Sequence, residues 1–198
     1  MRIISGHARR IQLQTPAGRE LRPTSDRVKE TLFAMLEPLA DLRILDLFAG
    51  TGALGLEALS RGAADVVFVE RNPRHVHLIE ENLAAVRKAF GNQPAGAARI
   101  VTADVRQTAR RLPDLAGAFD FILADPPYRP AATEYGGDAL LRDPDFAAWA
   151  GPETLLVLEH EDGTEPPWAP ASLWRLIKQR RIGDTVLSFA RTSPPPPA

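Results

Sequence analysis

The stretch from residue 43 to residue 70 constrains the fold of this chain more than any other part of its sequence. Residues 43–48 (RILDLF) are a short apolar run that predicts a buried strand, and residues 49–55 (AGTGALG) follow as a glycine-rich loop. A helix-like run then ends at Gly62, and residues 65–70 (DVVFVE) predict a second buried strand that ends in an acid. Strand, glycine loop, helix and strand in this order are typical of an open, mostly parallel α/β sheet.

The glycine loop and the acid at the end of the second strand predict a cofactor site. Glycines in the pattern G-x-G-x-x-G permit a tight turn and let the backbone approach a ligand at a helix N-terminus. Glu70 falls where the two hydroxyls of a ribose need an acceptor. The alternative is that the glycines serve helix packing and that Glu70 is a solvated strand end. The occurrence of both features together favours cofactor binding.

A second motif, DPPY at Asp125 to Tyr128, follows the apolar run FDFILA at residues 119–124. Because Pro126 and Pro127 lack N–H groups, the turn presents carbonyl oxygens and one carboxylate, which suits a planar group bearing N–H bonds. A nucleobase amine could donate to the carboxylate and to the Pro126 carbonyl while the ring stacks on Tyr128. Taken alone, this tetrapeptide would be an ordinary turn at the end of a strand.

Acidic residues recur near the C-terminal ends of the predicted parallel strands. They are Asp46, Glu70, Asp104 (after a third strand at 99–102) and Asp125. Ligands of open α/β sheets bind at this edge, and several carboxylates gathered there would be costly without partners. A ligand rich in hydroxyl, amino and sulfonium groups would provide those partners, so the recurrence supports a ligand site.

The remaining pattern predicts the other elements. Residues 2–14 form a strand or hairpin, Thr24 or Ser25 caps a helix that ends before Pro38, and Asn72 with Pro73 starts a long helix. The expected core face of the first helix consists of Val28, Leu32, Met35 and Leu36. Further predictions are a loop at 91–98, a mobile segment at 129–145 with a short helix at 139–142, a fifth strand at 154–159, a closing hairpin of strands at 173–179 and 185–191, and a disordered tail.

The composition excludes several classes of protein. The chain has 198 residues and no cysteine, which rules out disulfides, thiolate metal sites and cysteine nucleophiles. Its four histidines are spaced unlike metal ligands, so structural or solvated roles are expected for them and no metal is predicted. No apolar stretch is long enough to span a bilayer, and the N-terminus lacks the apolar core of a signal peptide, so a soluble cytoplasmic protein is expected.

Charge is distributed unevenly along the chain. The first 29 residues hold seven basic and two acidic side chains, a net charge of +5, although the whole chain carries −1. This pattern predicts an N-terminal arm that contacts phosphates, attached to an acidic body. A smaller basic group comprises Arg175, Lys178, Arg180 and Arg181. Either basic group could also be no more than solvated surface charge.

The motifs together resemble a known group of enzymes. DLFAGTG at 46–52, Glu70, Asp104 and DPPY at 125–128, in this order, resemble the class I S-adenosylmethionine-dependent methyltransferases that modify amino groups. Longer segments, MRIISG at 1–6, LRPTSDRVKETLF at 21–33 and FAGTGALGLEALSRG at 48–62, are similar to the RsmD family of bacterial small-subunit (16S) ribosomal RNA guanine-N2 methyltransferases. The similarity runs from Met1 to about Arg191.

The resemblance implies a fold and a division into domains. The fold would be a Rossmann-like class I methyltransferase with a mostly parallel seven-stranded sheet, helices on both faces, a C-terminal antiparallel hairpin and a small N-terminal hairpin and helix. Residues 1–41 would form this basic extension, residues 42–192 the methyltransferase domain and residues 193–198 a disordered proline-rich tail.

The resemblance also implies the cofactor and the site. The cofactor would be S-adenosyl-L-methionine, with its methionine end at residues 48–52, its ribose at Glu70 and its adenine amine at Asp104, while the target guanine would enter at 125–128. The implied cofactor set is Asp46, Phe48, Ala49, Gly50, Thr51, Gly52, Glu70, Arg71, Asp104, Val105 and Asp125. The implied catalytic set is Asp125, Pro126, Pro127 and Tyr128.

The expected partner is ribosomal RNA, either free or within a small-subunit particle, bound by a monomer without metal or membrane. The residues expected to contact the RNA are Arg2, Arg9, Arg10, Arg22, Thr24 and Arg27. Other acceptors stay open, namely adenine N6 in DNA or RNA and a protein glutamine. A nicotinamide-dependent oxidoreductase and a non-catalytic RNA-binding module are more distant alternatives, since neither explains both the DPPY motif and the complete cofactor set.

Overall fold

A computed structural model describes residues 1–16, 25–128 and 134–192 of the chain. Three predicted features lie outside the described residues. They are the RNA-binding residues Arg22 and Thr24, the start of the expected mobile segment (129–133) and the proline-rich tail. The described helices are α1 (Asp26–Leu36), α2 (Ala53–Ser60), α3 (Pro73–Phe90), α4 (Thr108–Arg111), α5 (Gly137–Arg142) and α6 (Pro144–Ala150). The strands are β1 (Arg43–Leu47), β2 (Asp65–Glu70), β3 (Ala97–Thr102), β4 (Phe121–Ala124), β5 (Leu155–Glu161), β6 (Trp174–Ile182) and β7 (Thr185–Thr192).

The strands form a seven-stranded, mostly parallel mixed sheet with an antiparallel C-terminal hairpin, which confirms the predicted fold class. The chain divides into two compact units, Met1–Asp104 and a second that begins at Val105. Residues 1–41, predicted as a separate extension, belong to the first unit, and their boundary stays a prediction.

The first unit contains three parallel strands in the order β3-β2-β1. Gly55, in the first turn of α2, explains how closely this helix packs on the strands, because a Cβ at this position would lie 2.3 Å from the Phe68 ring of β2. The glycine therefore has a packing role, as the third glycine of such loops generally does. Strand β3 begins at Ala97, two residues earlier than predicted, because Ala97 and Ala98 continue the register with β2.

Helix α1 begins and ends as predicted. The Ser25 hydroxyl caps it by accepting from the Val28 amide at 3.2 Å, and its last residue, Leu36, precedes Glu37 and Pro38. Its buried face is broader than expected because Lys29 and Phe33 are fully buried, whereas Met35 is only half-buried.

The N-terminal arm, residues 1–16, contains no regular strand and is held in place by hydrogen bonds of its backbone. One antiparallel bridge joins Arg2 and Gln12. The amides of Ile4 and Ser5 donate to the Glu57 carboxylate of α2 at 2.7 and 3.0 Å. The arm is thus fixed to α2 through a buried acid.

The second unit contains the strand order β4-β5-β7-β6, in which β4 and β5 are parallel and the other pairs are antiparallel. Strand β6 runs on to Ile182, three residues beyond its predicted end, and the hairpin turns at residues 183–184, within the turn predicted at 182–184. Helix α6 was not predicted from the sequence, although Asp143 and Pro144 carry the signal of a cap followed by proline. Its Phe146 ring packs on Trp174 of β6.

The described residues lack two kinds of feature. None of the helices in the described ranges is long and apolar enough to cross a membrane. No group of three or more histidine or acidic side chains in that part of the chain could hold a metal ion.

Candidate functional site

The loop after β1 has an unusual backbone. Phe48, Gly50 and Gly52 have φ angles of 57°, 55° and 76°, so three of five consecutive residues are left-handed. A left-handed conformation is uncommon for a residue as bulky as phenylalanine and persists only where the surrounding structure enforces it. The Ala49 amide donates to the Val69 carbonyl at 3.2 Å and so anchors the loop to β2. The result is a fixed loop that leads into the N-terminus of α2.

Glu70 holds this loop from the end of β2. Its Oε2 accepts from the Gly50 amide at 2.9 Å and its Oε1 accepts from the Asn72 amide at 2.8 Å, while the side chain is buried. The Nδ1 atom of His75 lies 3.6 Å from Oε1. His75 is therefore a buried neighbour of the carboxylate, in agreement with the structural role expected for the histidines.

Asp46 and Asp104 occupy different positions relative to the strands. Asp46 lies within β1, is 1% exposed, and accepts from the Gly55 amide at 2.8 Å, so it fixes the first turn of α2. Asp104 follows β3, and the Ala103 amide before it donates to the Glu70 carbonyl at 3.0 Å. The first unit thus brings Asp46, Glu70 and Asp104 to the C-terminal ends of its three parallel strands.

The residues of the first unit fit a nucleoside cofactor. Each Glu70 oxygen accepts one backbone bond, and a carboxylate oxygen has a second lone pair with which it can accept a ribose hydroxyl. Arg71 is exposed at the end of β2, whereas Thr51 in the loop is buried. Val105, the first residue of the second unit, is buried at the start of a 3₁₀ turn.

In the second unit, Tyr128 is fixed at its hydroxyl. The phenol donates to Glu159 Oε1 at 3.1 Å and lies 2.9 Å from Thr185 Oγ1. Burial raises the pKa of Tyr128, and the negative charges of Glu159 and Asp125 raise it further. The ring therefore stays neutral and oriented over the physiological pH range. Asp125 is half-buried, Pro126 is buried and Pro127 is exposed.

A cavity of about 440 Å³ lies beside this motif. It is lined by Pro126, Pro127 and Tyr128 together with residues of α5, β5 and the loop after β5. Its acidic lining residues are Glu134, Asp138, Glu159, Glu161 and Glu165, and no lysine or arginine is among the described residues that line it. A cavity of this size and charge suits an uncharged group rich in N–H donors and disfavours a phosphate.

Glu159 and Thr185 were not predicted as site residues. Glu159 lies near the C-terminal end of a parallel strand, which is the signal that identified Glu70, so sequence reasoning could have found it. Thr185 had no such signal, because its position beside Tyr128 depends on the pairing of β5 with β7, in which it faces Glu161.

His160 lines the same cavity and is buried among hydroxyl groups. Its Nε2 lies 2.7 Å from Ser188 Oγ and its Nδ1 lies 2.9 Å from Thr164 Oγ1. Burial lowers the pKa of His160 below its ordinary 6.5, because the charged form would lose its hydration.

We expect His160 to make folding stability depend on pH. Below pH 6.5 the unfolded chain binds a proton that the folded chain resists, so the free energy of unfolding falls as pH falls, by at most about 1.4 kcal/mol per pH unit. The variant His160→Gln should lose this part of the slope in urea titrations between pH 7 and pH 5. The wild-type protein, titrated over the same pH range, gives the reference slope. Equal slopes for His160→Gln and wild type would contradict the assignment.

The predicted RNA contacts of the arm are on the surface. Arg9, Arg10 and Arg27 are exposed, and Arg2 forms a 2.9 Å ion pair with Asp26. Arg9 and Arg10 have no acidic partner among the described residues. Their charges are therefore available to an anionic ligand.

Comparisons with known proteins relate this chain to a family and to solved structures. The sequence pattern of the family described as "Conserved hypothetical protein 95" matches residues 1–191. "Ribosomal RNA small subunit methyltransferase D" of Escherichia coli (strain K12) is 36% identical over 184 residues, which cover 92% of this chain and 85% of that protein. "Putative rRNA methyltransferase YlbH" of Bacillus subtilis (strain 168) is 34% identical over 168 residues, 84% of this chain and 86% of the relative. The solved structure "Putative methyltransferase yhhF from Escherichia coli" is 34% identical, covers 98% of both chains and has a TM-score of 0.69.

Proposed function

Because this chain belongs to the family described as conserved hypothetical protein 95, that of the ribosomal RNA small subunit methyltransferase D proteins, we propose that it methylates small-subunit ribosomal RNA. The cofactor is S-adenosyl-L-methionine and the acceptor is the exocyclic N2 amine of a guanine. One observation supports an amine acceptor above all: Asp125-Pro126-Pro127 leads into a Tyr128 ring that Glu159 and Thr185 hold in place beside an acidic cavity.

The first unit binds the cofactor. Its backbone loop at residues 48–52 receives the methionine end, Glu70 accepts from the ribose hydroxyls and Asp104 accepts from the adenine amine. When bound, S-adenosyl-L-methionine supplies a methyl group made electrophilic by its sulfonium. The loop fits this task because Glu70 accepts from its central Gly50 amide and Asp46 accepts from the Gly55 amide in the helix that follows. The protein therefore orients the cofactor with groups that are already in place before binding.

The DPPY motif positions the acceptor. Guanine N2 is a poor nucleophile, since its lone pair is delocalised into the ring, so an in-line approach and stabilisation of the charge that builds on nitrogen are the main requirements. Asp125 and the Pro126 carbonyl accept the two N–H bonds of the amine. Tyr128 stacks on the base, and its neutral, hydrogen-bonded hydroxyl keeps the ring in one orientation. The proton of the product amine leaves to solvent or through Asp125.

The site requires an unpaired or extruded guanine, because a base inside an RNA duplex cannot reach a cavity of this kind. The acidic lining of the cavity favours the base over the phosphate backbone, whereas the exposed arginines of the arm suit phosphates of the RNA. RNA therefore binds with its base and its backbone on surfaces of opposite charge.

Glu70→Ala is expected to weaken the affinity for S-adenosylhomocysteine by at least about 100-fold, because each of the two lost hydrogen bonds to a charged group contributes about 1.5–3 kcal/mol. Calorimetric titration measures this change. Glu80→Ala, on the exposed face of α3, is the control and should bind like wild type. If the affinity of Glu70→Ala for S-adenosylhomocysteine is within twofold of that of wild type, Glu70 does not bind the cofactor.

Replacing Arg9 and Arg10 with alanine is expected to weaken binding of ribosomal RNA about tenfold at physiological salt. It should also lower the slope of log K against log salt by roughly 1.5, because two phosphate contacts are lost. Filter binding at several salt concentrations measures both quantities. A slope equal to that of wild type would show that these arginines do not contact phosphate.

Methylation of ribosomal RNA from a strain lacking this activity tests the proposal directly. Purified protein and labelled cofactor should yield N2-methylguanine at one position of the small-subunit RNA, found by nuclease mapping. Methylated adenine, or label on a glutamine of added protein, would show that one of the alternative acceptors is the substrate and guanine is not. Tight binding of a nicotinamide dinucleotide without binding of S-adenosylhomocysteine would indicate an oxidoreductase.

A further inference from the structure

The C-terminal hairpin carries an irregularity that rearranges its charges. The register between β6 and β7 shifts between Leu176 and Lys178, so that Ile177 is the extra residue of a β-bulge. Arg175 pairs with Arg191, Lys178 with Phe189 and Arg180 with Leu187. Because paired residues of antiparallel strands share a face and faces alternate along β7, the bulge brings Arg175, Lys178 and Arg180 to one face. Strict alternation would have put Arg175 and Lys178 on opposite faces.

These three side chains form what we call the basic row (Arg175, Lys178 and Arg180). All three are exposed, and none has an acidic partner among the described residues. The Lys178 ammonium lies 4.6 Å from the centre of the Phe189 ring, which holds it over the sheet. By contrast, Arg181 on the other face is paired with Asp162 at 2.7 Å.

Arg191 adds a fourth positive charge directly across from Arg175. It is 3.6 Å from Glu153, a side chain that is 91% exposed, so this ion pair is screened by solvent. Like charges opposite one another on a sheet are destabilising. An anionic ligand on this face would relieve the repulsion.

The basic row lies on the same face of the sheet as Glu159 and Thr185, the two residues that hold the Tyr128 hydroxyl. Leu187 of β7 pairs with Arg180 on one side and with Glu159 on the other. Glu159 is the residue that accepts from Tyr128. Neighbouring strands are about 4.8 Å apart, so the backbones of Arg180 and Glu159 are separated by roughly 10 Å across the same face. The opposite face of the hairpin is covered at Trp174 by Phe146 of α6.

We propose that the basic row is a second RNA-binding surface, which holds backbone phosphates next to the target nucleotide. The proposal rests on the function proposed above. Side chains two residues apart on one face of a strand are about 6.6 Å apart, a step of the same order as that between successive phosphates of an extended RNA strand. The row therefore binds the strand that leaves the acidic cavity, and the base enters the cavity while its backbone stays on the row.

The triple variant Arg175→Gln, Lys178→Gln and Arg180→Gln tests this inference. The RNA is deproteinised small-subunit ribosomal RNA from a strain lacking the activity, titrated at several salt concentrations. Three contacts to a single strand contribute about 2 to the slope of log K against log salt, so the slope should fall by about 2 and Kd should rise at least tenfold at 0.15 M salt. The KM for RNA should rise while kcat at saturating RNA stays within about twofold of wild type.

Two control variants test whether a loss of RNA binding is specific to the basic row or follows from the removal of any positive charge. Arg87→Gln, Arg110→Gln and Arg111→Gln together remove three exposed charges from the ends of α3 and α4, and Arg181→Gln removes the paired charge of β6. Both controls should bind RNA with a slope within about 0.5 of wild type. All variants should keep the wild-type urea midpoint and affinity for S-adenosylhomocysteine.

Each outcome decides the inference. An unchanged slope in the triple variant, or an equal loss in the three-charge control, overturns the basic row as an RNA site. Weakened binding to assembled small-subunit particles, with unchanged binding to protein-free RNA, overturns it in favour of a protein partner for this face. Absence of methylation by the wild-type protein of both protein-free RNA and small-subunit particles would instead refute the proposed function, because the salt slope of RNA binding is measured without turnover.

Discussion

Replacing Asp125 with alanine is expected to lower the rate of methyl transfer by at least about 10³-fold. Asp125 is the only carboxylate of the DPPY motif, and the adjacent Pro126 and Pro127 offer carbonyl oxygens alone. Removing one preorganised group that stabilises charge in a transition state costs about 10²- to 10³-fold in rate, and loss of positioning adds to this. The affinity for the cofactor should be largely intact, because the proposed cofactor contacts lie mainly at Glu70 and the loop.

Single-turnover rates at saturating cofactor measure this effect, with calorimetry of S-adenosylhomocysteine binding in parallel. Asp125→Asn keeps the size and one carbonyl oxygen but removes the charge, so it should fall between wild type and Asp125→Ala. Asp114→Ala, at an exposed acid elsewhere in the second unit, should leave the rate unchanged. A rate for Asp125→Ala within tenfold of wild type would exclude a catalytic role for this carboxylate.

Replacing Glu57 with alanine is expected to destabilise the protein by about 3–5 kcal/mol. The Glu57 side chain is fully buried and accepts from the amides of Ile4 and Ser5 and from Arg61 Nε at 2.8 Å. The fully buried Lys29 ammonium lies 3.9 Å away. Burial lowers the pKa of Lys29, and the negative charge of Glu57 is the largest influence raising it. Without Glu57, the two amides and Arg61 would lose their shared acceptor, and Lys29 would lose a fully buried counter-ion.

Urea unfolding followed by circular dichroism measures this loss. Glu37→Gln is the matched control, because Glu37 also pairs with Arg61 but is 48% exposed, and its replacement should cost no more than about 1 kcal/mol. Hydrogen exchange of the Ile4 and Ser5 amides should accelerate in Glu57→Ala only, since the N-terminal arm loses its anchor. Equal stabilities of the two variants would show that Glu57 does not organise the arm.

Most elements could be predicted because their signals are local. The Ser25 cap, the Asn72 cap with Pro73 after it, and the strand that ends at Glu70 all depend on neighbouring residues, and the structure has them at the predicted positions. Helix α6 was overlooked although its signal was present. The arm at residues 2–14 folds back on itself with one antiparallel bridge between Arg2 and Gln12, and it forms no longer strand because the amides of Ile4, Ser5 and Ala8 donate to side chains of α2.

The candidate site was only partly predictable. The loop, Glu70, Asp104 and the DPPY motif are contiguous patterns whose chemistry can be named from the residues. The groups that orient Tyr128 come from distant segments, because its hydroxyl contacts Glu159 and Thr185, which are 31 and 57 residues away along the chain. No local pattern contains such pairs, since they exist only after the strands have paired.

By itself the sequence determined the α/β order of elements, the loop and acids of the proposed nucleoside site, and the family, because backbone propensity, caps and short motifs are encoded within a few residues. Only the tertiary structure decided that Lys29 and Glu57 form a buried cluster, that Tyr128 is held by Glu159 and Thr185, and that Arg175, Lys178 and Arg180 share a face. The physical reason is that three properties depend on which segments pack together: burial, long-range hydrogen bonds, and the face of the sheet on which each side chain of a bulged strand lies.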